Sequence, residues 1–115
     1  MGLKTKNYYV QDKGLFLPEA YAMIKSISTN GKLGVARFII QSSRENAKAV
    51  LENKMSAIED FTVSFVVDRT KNDREVAYNK AKSITEIKKK NAKTGEEEVA
   101  YVNGKLLGWE DDIWN

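Results

Sequence analysis

Apolar residues recur at every second position through most of the chain, the spacing of strands half-buried against a core. Lys6 to Gln11 puts Tyr8 and Val10 on one face and Tyr9 on the other, and Asp12-Lys13-Gly14 supplies a turn. In the next run Tyr21, Met23, Lys25 and Ile27 alternate with Ala22, Ile24 and Ser26. Pro18 argues against a central strand position at that residue. Followed by Glu19-Ala20, it is also a helix-start signal. The strand reading prevails because Asn30-Gly31 favours a type I′ hairpin turn. A second alternating run follows it, with Val35, Arg37, Ile39 and Gln41 against Ala36, Phe38 and Ile40.

Ser43 to Asp60 reads two ways. Ala47, Val50 and Leu51 have helical spacing and Ser43 with Asn46 can cap a start, but a polar excursion fits as well, so residues 43–57 stand open between helix and loop. Phe61, Val63, Phe65 and Val67 then mark the clearest strand, with Thr62, Ser64 and Val66 on its other face. Asn72 or Asp73 caps a helix to Lys82, with Val76, Ala77, Lys80 and Ala81 on one face, Tyr78 close by, and lysines where the helix dipole prefers them. Ser83–Lys88 and Glu98–Leu106 read as a hairpin tipped by Lys93-Thr94-Gly95-Glu96. The pattern predicts a mainly β fold: an antiparallel sandwich or barrel-like domain with one short α-helix at about 73–82. Residues 1–115 form a single domain, and 106–115 are a possible docking tail.

Composition narrows the chemistry. The chain has 115 residues and neither cysteine nor histidine. Disulfides, thiolate metal sites, thiol nucleophiles and imidazole acid–base catalysis are thereby excluded. The remaining candidates are carboxylates and hydroxyls. Ser42, Ser43 and Ser64 have no neighbouring base and no nucleophile-elbow motif. Glu110, Asp111 and Asp112 are consecutive and lack the glycine and distal glutamate of a calcium loop. The expectation is a protein that is not an enzyme, with no catalytic residue, no metal and no cofactor. MGLKTKNYYV carries no apolar run of signal-peptide length and no later segment is long enough to span a bilayer, so no membrane association is expected.

The net charge of +3 is mild. The lysines between Lys88 and Lys93 are followed at once by Glu96, Glu97 and Glu98, the pattern of a solvated hairpin with cross-strand charge pairs. A small β-rich chain can instead be an OB-like module for single-stranded nucleic acid, stacking bases on Tyr8 and Tyr9 beside Lys25 and Arg37. Against that, aromatics at strand spacing usually pack. The C-terminus poses the other alternative. Trp109 and Trp114 flank the three acids. Either the tail folds back over its own sheet, or it docks on a partner with the two indoles as anchors and Glu110, Asp111 and Asp112 setting register.

The stretches PEAYAMIKSI, GVARFIIQSSRENA, FTVSFVVDRTKNDREVAYNKAKS and GWEDDI together resemble a group of small proteins encoded in the tail and baseplate modules of phages and prophages of Gram-positive bacteria. The matching residues are Ala20-Tyr21-Ala22 with Ile24, Phe61 with Val63, and Ala77-Tyr78 with Ala81-Lys82. The resemblance implies a virion structural part made in the host cytoplasm and built into the tail. Its partners would be copies of itself, as a homo-oligomer, and other phage tail proteins.

Overall fold

The computed structural model describes residues 2–112. The elements run β1 (Gly2–Val10), a 3-10 turn (Gln11–Lys13), β2 (Leu15–Asn30), β3 (Leu33–Gln41), α1 (Arg44–Leu51), β4 (Glu59–Val66), α2 (Asp73–Lys82), β5 (Ile84–Lys90), β6 (Glu97–Asn103) and β7 (Glu110–Asp112). Five strands form one antiparallel sheet in the order β4-β3-β2-β1-β7, and β5 and β6 form a separate two-stranded ribbon. The fold is mainly β as the alternation predicts. The sheet does not close into a barrel, an arrangement compatible with the sandwich alternative, and the described residues include a second helix. Ser43 decides the open segment, because its hydroxyl accepts the Asn46 N–H and starts α1, while the stretch beyond Leu51 is turn and coil.

Each face of the sheet carries a helix. On the inner face, Leu3, Ala22, Ile24, Ala36, Phe38 and Phe65 pack under Ala77, Tyr78 and Ala81 of α2. On the outer face, Tyr21, Met23 and Ile39 pack under Ala47 and Val50 of α1. Phe38 is the centre of the inner cluster, stacked on Phe61 at 5.2 Å and edge-on to Tyr78 at 5.4 Å.

Strict alternation fails at two places. Between Ile24 and Ser26 the β2–β3 register shifts, so Lys25 is an extra residue and Ile27 joins the inner face beside Ile24. Farther out, the ladder between β1 and β2 omits Asn7 and Pro18. Asn7 has φ 57, which asparagine tolerates better than most residues, and proline has no N–H to give to a ladder. Both strands change parity there. Tyr8, Val10 and Leu17 therefore reach the inner core, although Leu3, Ala20 and Ala22 set the opposite phase. Pro18 is accommodated because β2 pairs with β3 only from Tyr21 onward. The turn between β2 and β3 is Gly31-Lys32, with glycine at positive φ in the first of two loop residues, so Asn30 belongs to the strand rather than to the turn.

The Ile24 N–H, at the bulge, donates to the Tyr78 hydroxyl at 3.1 Å. Tyr78→Phe should cost about 1–3 kcal/mol, because a buried N–H loses its partner. The phenol is pushed above its ordinary value of 10.0, chiefly by burial, with the Ile24 N–H and the Arg74 charge opposing. A raised value in the fold means that the protonated form is favoured. Its contribution is complete below the ordinary phenol range and is lost as pH rises through the folded value. Thermal melts followed into the alkaline range should fall less steeply for Tyr78→Phe than for the parent. Parallel curves would show that this phenol is not what titrates.

Candidate assembly surface

The segment after β6 is held by the end of α2. The Gly104 N–H donates to the Ser83 carbonyl at 2.8 Å and the Leu106 N–H to the Ala81 carbonyl at 3.0 Å, satisfying oxygens that a helix terminus leaves open. This seats Leu106, which is fully buried, and Trp109, which is 8% exposed, in the inner core. The Tyr8 ring meets Trp109 edge-on at 5.4 Å. The Tyr8 hydroxyl donates to Glu59, whose other oxygen lies 3.0 Å from the Lys105 ammonium. Burial first, and then the Glu59 carboxylate, raise the Tyr8 phenol. Burial pulls Lys105 down, but its bonds to Glu59 and Tyr8 outweigh that and leave it raised. The group closes the end of the core and contains no free nucleophile.

The three acids form β7, an edge strand on β1 with Asp112 opposite Gly2, Asp111 opposite Leu3 and Glu110 opposite Lys4. As in any strand, their side chains alternate. Asp111 pairs with Lys82 of α2 at 2.6 Å. Asp112 turns to the other face, accepts the Tyr21 hydroxyl at 2.6 Å and lies 3.7 Å from Arg44 of α1. Gly2 makes this reach possible: a Cβ there would sit 2.4 Å from the Tyr21 ring, which crosses β1 at that point. The carboxylates diverge, and among the described residues no cluster of three or more potential metal ligands forms.

Two expectations about site residues change accordingly. Trp109 is a core residue, so its indole area is not offered to a partner, and Asp111 and Asp112 are tied to both helices of their own domain. Trp114 lies outside the described residues. Beside Asp112, a groove of about 760 Å³ is lined by Lys4, Lys6, Glu19, Arg44 and Glu110 among others. Its charges are of both signs, and its two serine hydroxyls are engaged at the start of α1: Ser43 accepts the Asn46 N–H, and Ser42 accepts from the Asn46 side-chain amide.

Of the residues of the nucleic-acid alternative, Tyr8 and Tyr9 line one shallow groove and Lys25 and Arg37 another. Tyr8 is packed into the core, while Tyr9 is 54% exposed opposite Phe16 on the outside of the β1–β2 tip. Lys25 is the bulge residue of β2. Arg37 grips both oxygens of Asp60, and this bond, more than any other influence, holds that carboxyl below its ordinary range.

A further exposed feature is the β5–β6 ribbon. The two strands pack almost wholly on each other. The molecule is 51 Å in its longest dimension with a radius of gyration of 16.0 Å, where a compact domain of this length has about 13 Å. Lys89 faces Glu98 and Lys90 faces Glu97, as the adjacent charge blocks predict. Between those charges stand Ile84, Ile87, Val99 and Tyr101, all exposed, Tyr101 at 71%. Sequence reasoning did not single out these four. The available signal was an apolar residue every two or three positions inside a charged hairpin with no further strand to cover it. No family model matches the chain, and neither the curated proteins nor the solved structures compared with it give a match.

Proposed function

We propose that the chain is a non-enzymatic structural subunit of a phage tail or baseplate, working through protein–protein assembly. The observation that supports this best is the β5–β6 ribbon. It carries Ile84, Ile87, Val99 and Tyr101 into solvent, away from the core. A two-stranded ribbon alone is marginally stable in water, and a strand edge with apolar side chains is a ready surface for another chain. A catalyst gains nothing from such an arm, whereas an assembly part can hold its neighbours with it. The resemblance in sequence supplies the phage tail as the setting, with copies of the same chain and other tail proteins as neighbours. The test is peptide mass spectrometry of purified particles from a strain that carries the gene. The peptide LLGWEDDIWN should appear at an abundance comparable to that of recognised tail proteins. Its absence from intact particles, with the protein present in the infected cell, would overturn the reading.

A further inference from the structure

We propose that the free edge of β6 pairs antiparallel with the same edge of a second copy, about a two-fold axis through Ala100, giving a four-stranded sheet β5-β6-β6-β5. The inference rests on the reading of the chain as an assembly subunit and names the surface and the partner. Within the ribbon each strand has one neighbour among the described residues, so β6 keeps one row of backbone donors and acceptors without a strand partner among them. Its sequence is self-complementary about Ala100. In that register Val99 stands opposite the partner's Tyr101, Tyr101 opposite the partner's Val99, and Glu97 opposite the partner's Asn103. Aromatic and β-branched residues make favourable cross-strand pairs, and no glutamate faces a glutamate.

The exposed apolar residues favour this edge over that of β5. Glu86 faces Tyr101 and Lys88 faces Val99 within the hairpin. Pairing through β6 therefore gathers Val99 and Tyr101 of both copies into a central apolar strip with Glu86 and Lys88 on its flanks, the arrangement of an apolar centre within a polar rim. Pairing through β5, about Ile87, would place Glu86 against the partner's Lys88 but leave Val99 and Tyr101 at the outer edges, still uncovered. Strands of seven residues bury less than a standard interface. The isolated dimer is accordingly weak and concentration-dependent, and it gains strength where many arms are held together.

The absence of cysteine makes the axis testable. Directly opposed residues of an antiparallel pair have Cα atoms about 4.5–5.5 Å apart, within the range a disulfide spans. Under mild oxidation Ala100→Cys should form a disulfide-linked dimer roughly tenfold or more faster than Ile87→Cys, because only the former is brought to its own copy. No dimer from Ala100→Cys, or an equal or higher rate from Ile87→Cys, overturns the proposal. A second pair of variants tests the register by sedimentation. Val99→Lys with Tyr101→Lys should be monomeric alone, as should Val99→Glu with Tyr101→Glu, and mixing the two should restore a dimer. Failure of the mixture to associate, or persistence of either variant as a dimer, also overturns it. All four positions lie in the arm, so unchanged melting of the domain serves as the folding control. A chain found in particles whose Ala100→Cys form does not link would sink this edge and leave the assembly reading standing. A chain that links but is absent from particles would do the reverse.

Discussion

Trp109→Ala should cost about 3–5 kcal/mol of monomer stability, the range for deleting a large buried aromatic. The indole is 8% exposed and belongs to the same cluster as Leu3, Phe38 and Tyr78. Its removal leaves a cavity at the point where the C-terminal segment meets the sheet. It also strips the edge-on partner from Tyr8, whose hydroxyl bond to Glu59 shares that end of the core. For a chain of this length the loss corresponds to a fall in Tm of roughly 10 °C or more. Denaturant unfolding at two protein concentrations is the decisive measurement. The midpoint should drop by the same amount at both, because the contact is within one chain. A drop that appears only at high concentration would return Trp109 to an interface, as the C-terminal sequence by itself allows.

That ambiguity shows where the sequence was legible and where it was not. The strand at Phe61–Phe65 and the helix at Asp73–Lys82 were legible because their periods persist over several residues and each faces one core. The phase changes at Lys25 and at Asn7–Pro18 were not. Alternation gives a local period, whereas which side is inside depends on α2 and on the tail, segments more than forty residues away. Helix α1 was half legible: its cap is plain, but it buries only Ala47 and Val50, and so few apolar positions do not separate a helix from a polar loop. Asp111 and Asp112 looked like part of a docking motif because their partners are distant in sequence. Asp112 meets Tyr21 across 91 positions and Asp111 meets Lys82 across 29. The exposed apolar residues of β5 and β6 were visible in the sequence, but that no other described element covers them is a property of the assembled fold. A strand pattern implies a sheet, and only the topology shows that this one stops at two strands.

Gly104→Ala should be the most damaging single-atom addition in the chain, costing about 3–5 kcal/mol. A Cβ at this position would lie 2.2 Å from the Ala81 carbonyl oxygen and 2.7 Å from that of Ser83. Both obstacles are backbone at the end of α2, so no side chain can rotate away. Relief requires residues 104 to 109 to lift from the helix. That movement stretches the bonds from the Gly104 N–H to Ser83 and from the Leu106 N–H to Ala81, each worth about 1 kcal/mol. It also unseats Leu106 and Trp109, and the steric clash itself adds about 1–3 kcal/mol. Gly108→Ala is the matched control. Gly108 has φ +85 and open space around its Cβ position, so alanine there meets only the conformational penalty of about 1 kcal/mol. In a Trp114→Phe background the fluorescence reports Trp109 alone, since the chain has two tryptophans. Gly104→Ala should shift that emission to the red as the indole enters water, and Gly108→Ala should leave it in place. Equal costs and unshifted emission for both would mean that the tail is not wedged against α2. A large cost and a red shift confined to Gly104→Ala would mean that the contact of one glycine with the end of one helix keeps Trp109 inside the domain, leaving the ribbon as the part that reaches outward.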